Sequence, residues 1–317
     1  MVESAVAVTG AAGFVGRNVV RALAGRSERV IAVVRPEEEI PEAFPAEVRA
    51  IDFRSETELR SAFADASRII HLAARSGGIQ LQESTHRDLY DENRVLTDSV
   101  ISMAASAGVD RLFIASSAVV YRTSANATIS EGDALIGPAD GPTGYAWSKL
   151  TDEVAAAWAN RTGGIQTVVG RFGNIYGPEA SFDPARSTVI HGLISRIVNA
   201  PADGTVIVWG DGHAVRSFIH VEDVAQAILG IVDRGEPGTA YNVDTSEAIE
   251  IRDLAVLIRD LASPRVSLEF DPMKPSGPPR RVPDSARLRS LGFRPTVSLV
   301  DGLAATINWY KENVVGH

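Results

Sequence analysis

The sequence of 317 residues contains no cysteine. Disulfides, thiolate metal sites and any cysteine nucleophile or acid are excluded before a motif is read. Lysine is scarce, occurring only at Lys149, Lys274 and Lys311. Positive charge is in deficit: 31 Lys and Arg stand against 40 Asp and Glu, a formal charge of -9. That balance opposes binding to a nucleic-acid backbone or an anionic membrane, both of which need a clustered positive face. No apolar run approaches about 18 residues, so no transmembrane helix is expected. The opening Met1-Val2-Glu3-Ser4 carries an acid where a signal peptide carries positive charge. A soluble cytoplasmic protein is the expectation.

With 45% hydrophobic and 22% charged residues, the composition is that of a globular chain and excludes disorder or coiled coil as a description of the whole. Ala5 to Thr9 is a short apolar run ending in Gly10, and Val15, Val19, Val20 and Leu23 then take up helical spacing. Apolar runs recur at Val30–Val34, Val48–Ile51, Ile69–Ala74, Leu112–Ala115 and Thr167–Val169, with room for a helix or crossover between them. Runs that are continuous rather than alternating imply a parallel sheet covered on both faces. The expected fold class is α/β, a Rossmann-like doubly wound parallel sheet with a smaller C-terminal α+β lobe. Residues 1–175 form the dinucleotide-binding part, 218–245 return to it through the strand-like Ala240 to Val243, and 176–217 with 246–317 form the substrate lobe. Short helices are expected at Val221–Val232 and Ile251–Leu261.

Gly10, Gly13 and Gly16 stand three residues apart at a strand-to-helix turn that includes Phe14 and Val15. Glycine lets a backbone approach a pyrophosphate, and the free amides of a helix start attract its charge. After the first strand of an alternating pattern this turn predicts a dinucleotide site; by itself it is also a tight packing turn. The second strand ends Val34-Arg35, where an NAD site ends in a carboxylate for the ribose 2′-hydroxyl. A cation there suits a 2′-phosphate, so NADP (NADPH) is the expected cofactor, with NAD as the alternative. Arg35 is otherwise a solvated strand-end charge. Asp52 and Phe53, at the close of the third strand, are candidates for the adenine edge, although Asp is equally a turn former.

Tyr145 and Lys149 lie four residues apart on a helix whose apolar positions are Trp147, Leu150, Val154, Ala157 and Trp158. A phenol is a poor acid or base near neutrality, but an adjacent ammonium and an oxidised nicotinamide both favour phenolate and are expected to pull its pKa down. An exposed Tyr/Lys helix face is the plainer alternative. Ser116 and Ser117 close the fifth strand, where α/β folds bind ligands, and a hydroxyl there can hydrogen-bond a substrate oxygen beside the tyrosine. The six histidines (His71, His86, His191, His213, His220, His317) show no ligand spacing, so no metal is expected.

Together these stretches, with His71-Leu72-Ala73-Ala74, Arg171-Phe172-Gly173-Asn174-Ile175-Tyr176-Gly177-Pro178, Gly210-Asp211-Gly212, Arg216-Ser217-Phe218-Ile219-His220-Val221 and Leu291-Gly292-Phe293, resemble the extended short-chain dehydrogenases/reductases that act as nucleotide-sugar epimerases, dehydratases and reductases. Within that group the chain is most similar to the GDP-fucose synthase-like 4-keto-sugar reductases, through Ala74 to Ile79, Phe182-Asp183-Pro184 with Val189-Ile190, and Gly277-Pro278-Pro279-Arg280-Arg281 leading to Asp284. The resemblance implies Ser117, Tyr145 and Lys149 as catalytic residues. It places Leu72, Ala73, Ala74, Tyr145, Lys149, Phe172 and Ile175 around the cofactor with the glycine turn, with Lys149 holding the nicotinamide ribose as well as tuning Tyr145. It places Ser117, Val119, Asn174, Arg196, Trp209, Arg216 and Arg281 around the substrate, where arginine forks suit diphosphate oxygens.

Two departures narrow the activity. Where the group's epimerising reductases place a cysteine and a histidine, this chain has Val119 and Thr188, which removes the acid and base of 3,5-epimerisation. Where its dehydratases place acids after the serine, Ala118-Val119 supplies none. The expected activity is NADPH-dependent reduction of the C4 keto group of a nucleoside-diphosphate 4-keto-6-deoxy-sugar. An NAD-dependent 4-epimerase is the alternative, and a catalytically silent dinucleotide-binding regulator a third reading that the intact Ser117, Tyr145 and Lys149 disfavour. The partner is a small nucleotide-sugar, with no nucleic acid and no membrane. A homodimer through the helices holding 93–107 and 145–159 is the family's habit.

Overall fold

In the computed structural model the described residues are 4–76, 85–122, 128–133, 135–137, 143–184, 187–274 and 277–316. Gly77, Gly78, Ile79 and His317 lie outside them. Six strands come first: β1 (Ala5–Thr9), β2 (Val30–Val34), β3 (Glu47–Ala50), β4 (Ala66–His71), β5 (Arg111–Ser117) and β6 (Gln166–Phe172). After them run β7 (Asn174–Tyr176), β8 (Thr205–Trp209), β9 (Val215–Arg216), β10 (Phe218–His220) and β11 (Ala240–Val243). The last three are β12 (Ile249–Glu250), β13 (Ser267–Asp271) and β14 (Arg280–Arg281).

One seven-stranded sheet runs in the order β11-β6-β5-β4-β1-β2-β3, every neighbouring pair parallel. The chain winds outward from β1 to β3, then crosses back and winds the other way from β4. Strand order therefore reverses between β1 and β4, and a crevice opens beyond the carboxyl ends of those two strands, which is where such sheets bind ligands. All five residues of β1 and of β2 are buried, because helices cover both faces.

The helices are α1 (Phe14–Ala24), α2 (Glu56–Phe63), α3 (His86–Ser106), α4 (Gly144–Arg161), α5 (Val189–Val198), α6 (Val221–Arg234), α7 (Ile251–Ala262), α8 (Ala286–Ser290) and α9 (Leu299–Tyr310). Val19, Val20 and Leu23 of α1 join Val224, Ile228 and Ile231 of α6 on one face of the sheet. Leu59 and Phe63 of α2, Val100 and Ala104 of α3 and Ala156 of α4 cover the other. A separate core gathers Ile190, Leu193 and Ile194 with Leu254, Ile258, Leu303 and Ile307, beneath the small sheets β13-β8 and β12-β9-β14. Each fully buried aliphatic side chain contributes roughly 1.5–3 kcal/mol by leaving water.

One expectation is corrected. The third strand ends at Ala50 rather than Ile51 and is largely exposed, with Val48 at 43%, because it is the sheet edge. Asp52 therefore sits in the turn after the strand. The apolar positions of α4 divide: Leu150 packs against Ala118, Val120 and Tyr121, Val154 and Trp158 are exposed, and Ala146, Ser148, Lys149, Asp152 and Ala156 are buried. The buried side is polar and small because it lies against the ligand end of β5. No helix among the described residues is long and apolar enough to cross a membrane.

Candidate active site

The glycine turn lies between β1 and α1. Gly10 adopts φ +68, and a Cβ on it would come 2.7 Å from the Ala73 nitrogen. A Cβ on Gly16 would meet the Gly10 carbonyl oxygen at 2.1 Å. Side chains are thus barred where backbone meets backbone. Helix α1 starts at Phe14 with no side-chain cap and no acid in its first turn, so its leading amides and positive dipole end remain available to an anion. Leu72, Ala73 and Ala74 follow β4 directly; the Leu72 amide donates to the Thr9 carbonyl at 3.2 Å, which locks that loop against the turn. These features fit a dinucleotide pyrophosphate.

At the far end, a cleft of about 690 Å³ is lined by Arg35, Glu37, Asp52, Phe53, Arg54 and Glu92 among others. Arg35 is exposed but not an unopposed cation. Its guanidinium Nη2 donates to Glu38 Oε1 at 3.0 Å, and Glu37 lies 3.5 Å from its Nε. Asp52 Oδ1 accepts the Arg54 amide at 2.9 Å, so it forms the turn as well as lining the cleft. Arg54 and Glu38 were not among the expected residues; Glu38 stands at the i+3 spacing from Arg35 that would have revealed the pair.

Ser117 ends β5 and caps the short helical turn 118–120, accepting the Val119 amide at 3.4 Å. Its hydroxyl lies beside the phenol of Tyr145, presented by the first turn of α4, and acts to lower that phenol's pKa. Lys149, one turn on, is 3% exposed, with Nζ 5.9 Å from the Tyr145 ring centroid. Three side chains from two elements thus converge at the crevice. The expected pull of the Lys149 ammonium on the phenol is present and is outweighed by burial. Burial pushes the Tyr145 phenol up, Lys149 and Ser117 pull it down, and Asp152 works against Lys149. Asp152 was missed by the sequence reading. It accepts from Lys149 Nζ at 2.9 Å, deep in the protein.

Behind the pair, His71 bridges Thr9 Oγ1 (2.7 Å) and Thr97 Oγ1 (3.2 Å), and burial holds its imidazole neutral with a pKa of about 3. Ser116, Glu153, Arg171 and Tyr121 form a second buried network: Arg171 Nη2 donates to Glu153 at 2.6 Å and its Nη1 to the Tyr121 hydroxyl at 2.9 Å. This network secures β5 to β6. Phe172 packs near Phe113, and Ile175 is half-buried on β7.

The expected substrate residues fall into two groups. Arg216 and Arg281 are register partners on the adjacent parallel strands β9 and β14. Asn174 joins them through its Nδ2, which donates to the Ser217 carbonyl at 2.9 Å. Burial, then the neighbouring Arg281, push the Arg216 pKa down to about 10, and burial lowers Arg281. Arg196 donates to the Ile207 carbonyl at 2.7 Å, and Trp209, two residues further on the same face of β8, is 49% exposed. Val119 is half-buried beside Ser117; Thr188 is exposed, its hydroxyl 2.8 Å from His191 Nδ1.

Comparison with known proteins shows the family to which this fold belongs. The profile of the NAD dependent epimerase/dehydratase family matches residues 6–244. A putative GDP-L-fucose synthase 2 of Arabidopsis thaliana is 33% identical over 84% of this chain and 82% of its own length. A dTDP-4-dehydro-6-deoxy-D-allose reductase of a Streptomyces species is 30% identical over 96% of both chains. Among solved structures, a double mutant of the dTDP-glucose 4,6-dehydratase DesIV from Streptomyces venezuelae, crystallised with NAD, superimposes with a TM-score of 0.84 at 25% identity, covering 97% of each chain.

Proposed function

The chain belongs to the NAD dependent epimerase/dehydratase family of enzymes, and from that premise we propose that it reduces the C4 keto group of a nucleoside-diphosphate 4-keto-6-deoxy-sugar, using NADPH. The observation that carries this reading is the meeting of Ser117, Tyr145 and Lys149 at the end of β5, followed by apolar Ala118 and Val119 rather than a carboxylate. Without an acid or base beyond the serine, proton removal from neighbouring sugar carbons has no agent. The activities by which relatives matching nearly the whole chain are named point the same way.

The sheet and its helices would carry the dinucleotide, held by Gly10, Gly13, Phe14, Val15, Gly16, Leu72, Ala73 and Ala74 at the pyrophosphate side and by Arg35, Asp52 and Phe53 at the adenosine side. When bound, a reduced nicotinamide supplies hydride to a carbonyl carbon. Tyr145 gives its proton to the carbonyl oxygen as charge develops there, and Ser117 donates a hydrogen bond that holds that oxygen. Lys149 fixes the phenol's electrostatic surroundings. The small lobe would hold the diphosphate between Arg216 and Arg281, with Trp209 and Arg196 toward the base. Exposed Val95, Val154 and Trp158 on α3 and α4 are the face on which the proposed homodimer would close.

The test is to incubate the protein with GDP- and dTDP-4-keto-6-deoxy-sugars and follow loss of NADPH absorbance. Stoichiometric NADPH oxidation with formation of the deoxy-sugar alcohol is expected. No oxidation across the panel, with interconversion of UDP-hexoses in the absence of added cofactor, would replace this reading by the 4-epimerase. One observation favours that second reading: Glu37 and Glu38 offset the charge of Arg35 where a 2′-phosphate would sit.

A further inference from the structure

Asp152 has no part in the scheme above, yet it is the nearest charge to Lys149. Its side chain is 1% exposed and Lys149's is 4% exposed. Lys149 Nζ donates to Asp152 Oδ2 at 2.9 Å and to the Ala115 carbonyl at 3.0 Å, so two of its three N–H bonds are committed. Asp152 Oδ1 has no hydrogen-bond partner among the described residues. Thr97 is turned toward the same carboxylate, but its hydroxyl lies within 3.2 Å of His71 Nε2. A buried carboxylate oxygen left bare costs stability, and removing the charge altogether is often neutral or favourable. Packing alone gives no reason for an acid here.

Electrostatics does. An unpaired ammonium beside a phenol favours phenolate; an ammonium neutralised at contact distance exerts a much weaker field. The other groups packed around the pair cannot substitute. Glu153, also on α4, is bound by Arg171; Asp98 on α3 is paired with Arg94; His71 on β4 is neutral; and Ser117 on β5 is an uncharged donor. We infer that Asp152 is a positioning residue that clamps the Lys149 ammonium to the Ala115 carbonyl and offsets its charge at Tyr145, so that the phenol is held in its proton-bearing form before a carbonyl substrate arrives. Reduction uses the phenol as an acid. Each turnover leaves Tyr145 as phenolate, and an offset ammonium field favours its reprotonation from solvent before the next one. This inference rests on the reductase reading for its consequence but not for its measurement.

The experiment titrates the Tyr145 phenol by ultraviolet difference absorbance, each full-length protein against its Tyr145→Phe counterpart, without substrate. Asp152→Asn keeps the shape and an acceptor for Lys149 while removing the charge. Its phenolate midpoint should fall by about one pH unit or more relative to the unaltered protein. In the enzymatic assay the limb where reduction declines with rising pH should move down equally. A midpoint unchanged or raised overturns the inference. Should Asp152→Asn fail to fold, the unaltered protein decides alone: its Tyr145 should show no phenolate below about pH 9, and a phenolate band at pH 7 overturns the inference. Because the titration needs no substrate, failure of the reductase assay leaves this outcome separately readable.

Discussion

Arg216 and Arg281 face each other as register partners across β9 and β14, two half-buried cations side by side. Like charges brought together in a partly desolvated place repel, and burial with that repulsion is why the Arg216 guanidinium holds its proton less tightly than usual. Arg281 has no ion pair among the described residues. Such a pair raises the energy of the free protein and is relieved when a dianion lies between the two forks, which is differential stabilisation of the bound state.

Arg281→Ala should therefore raise KM for the nucleotide-sugar by about 10- to 100-fold, the worth of one charge-assisted hydrogen-bond pair, with kcat changed only a few-fold. The melting temperature should hold or rise, since a repulsion is removed. Steady-state kinetics and thermal melting of the same preparation check both parts. An unchanged KM would remove the diphosphate from this lobe.

Tyr145→Phe deletes only the acid. The rate of keto-sugar reduction should drop about 10²- to 10⁴-fold, the range that a positioned acid supplies. Binding of NADPH, followed by its fluorescence, should persist because the glycine turn and α1 are untouched. A variant that retains full turnover would show that the proton comes from elsewhere.

How much of this was legible beforehand depends on what each element faces. β2 was bounded to the residue, Val30–Val34, because a strand buried on both faces must be apolar throughout. β3 was shifted, because an edge strand such as Glu47–Ala50 needs no apolar run. On α4 the period alone left open what the apolar positions face: Val154 and Trp158 are exposed, while the buried side houses Lys149 with Ser148, Asp152 and Ala156. Spacing placed Tyr145 and Lys149 on one face correctly. It could not report that desolvation outweighs the ammonium at the phenol, which depends on the fold.

Arg35 offers a test of cofactor choice in two directions. Its fork is held by Glu38, whose other oxygen accepts the Arg35 backbone amide at 2.9 Å. Glu38→Gln should free the guanidinium and tighten NADPH binding several-fold, whereas Arg35→Ala should weaken NADPH by about tenfold and leave NADH unchanged. Direct titration of both dinucleotides reads the ratio. If Arg35→Ala shifts NADPH and NADH alike, the cation does not read the 2′-phosphate, and NAD becomes the cofactor.

Asp244 closes β11's turn into the small lobe with no exposed surface. Its Oδ1 accepts the Ser246 amide at 2.7 Å, while Oδ2 is unpartnered and lies where a Cβ on Gly173 would fall, 1.8 Å away. Burial pushes its carboxyl up to about 6 from an ordinary 3.8, with Ser217 and two backbone amides opposing the shift. Between those two pH values the folded protein keeps a proton that the unfolded chain has lost, so stability falls as pH rises through the window. The penalty is absent below about pH 4 and complete above about pH 6, where it amounts to roughly 3 kcal/mol at most. Asp244→Asn carries no such charge, and its amide can donate to the otherwise orphaned Ser217 hydroxyl. The variant should be the more stable protein in urea at pH 7.5, with its advantage shrinking steadily toward pH 4.5. An advantage that stays constant with pH would mean that Asp244 is ionised throughout the folded state.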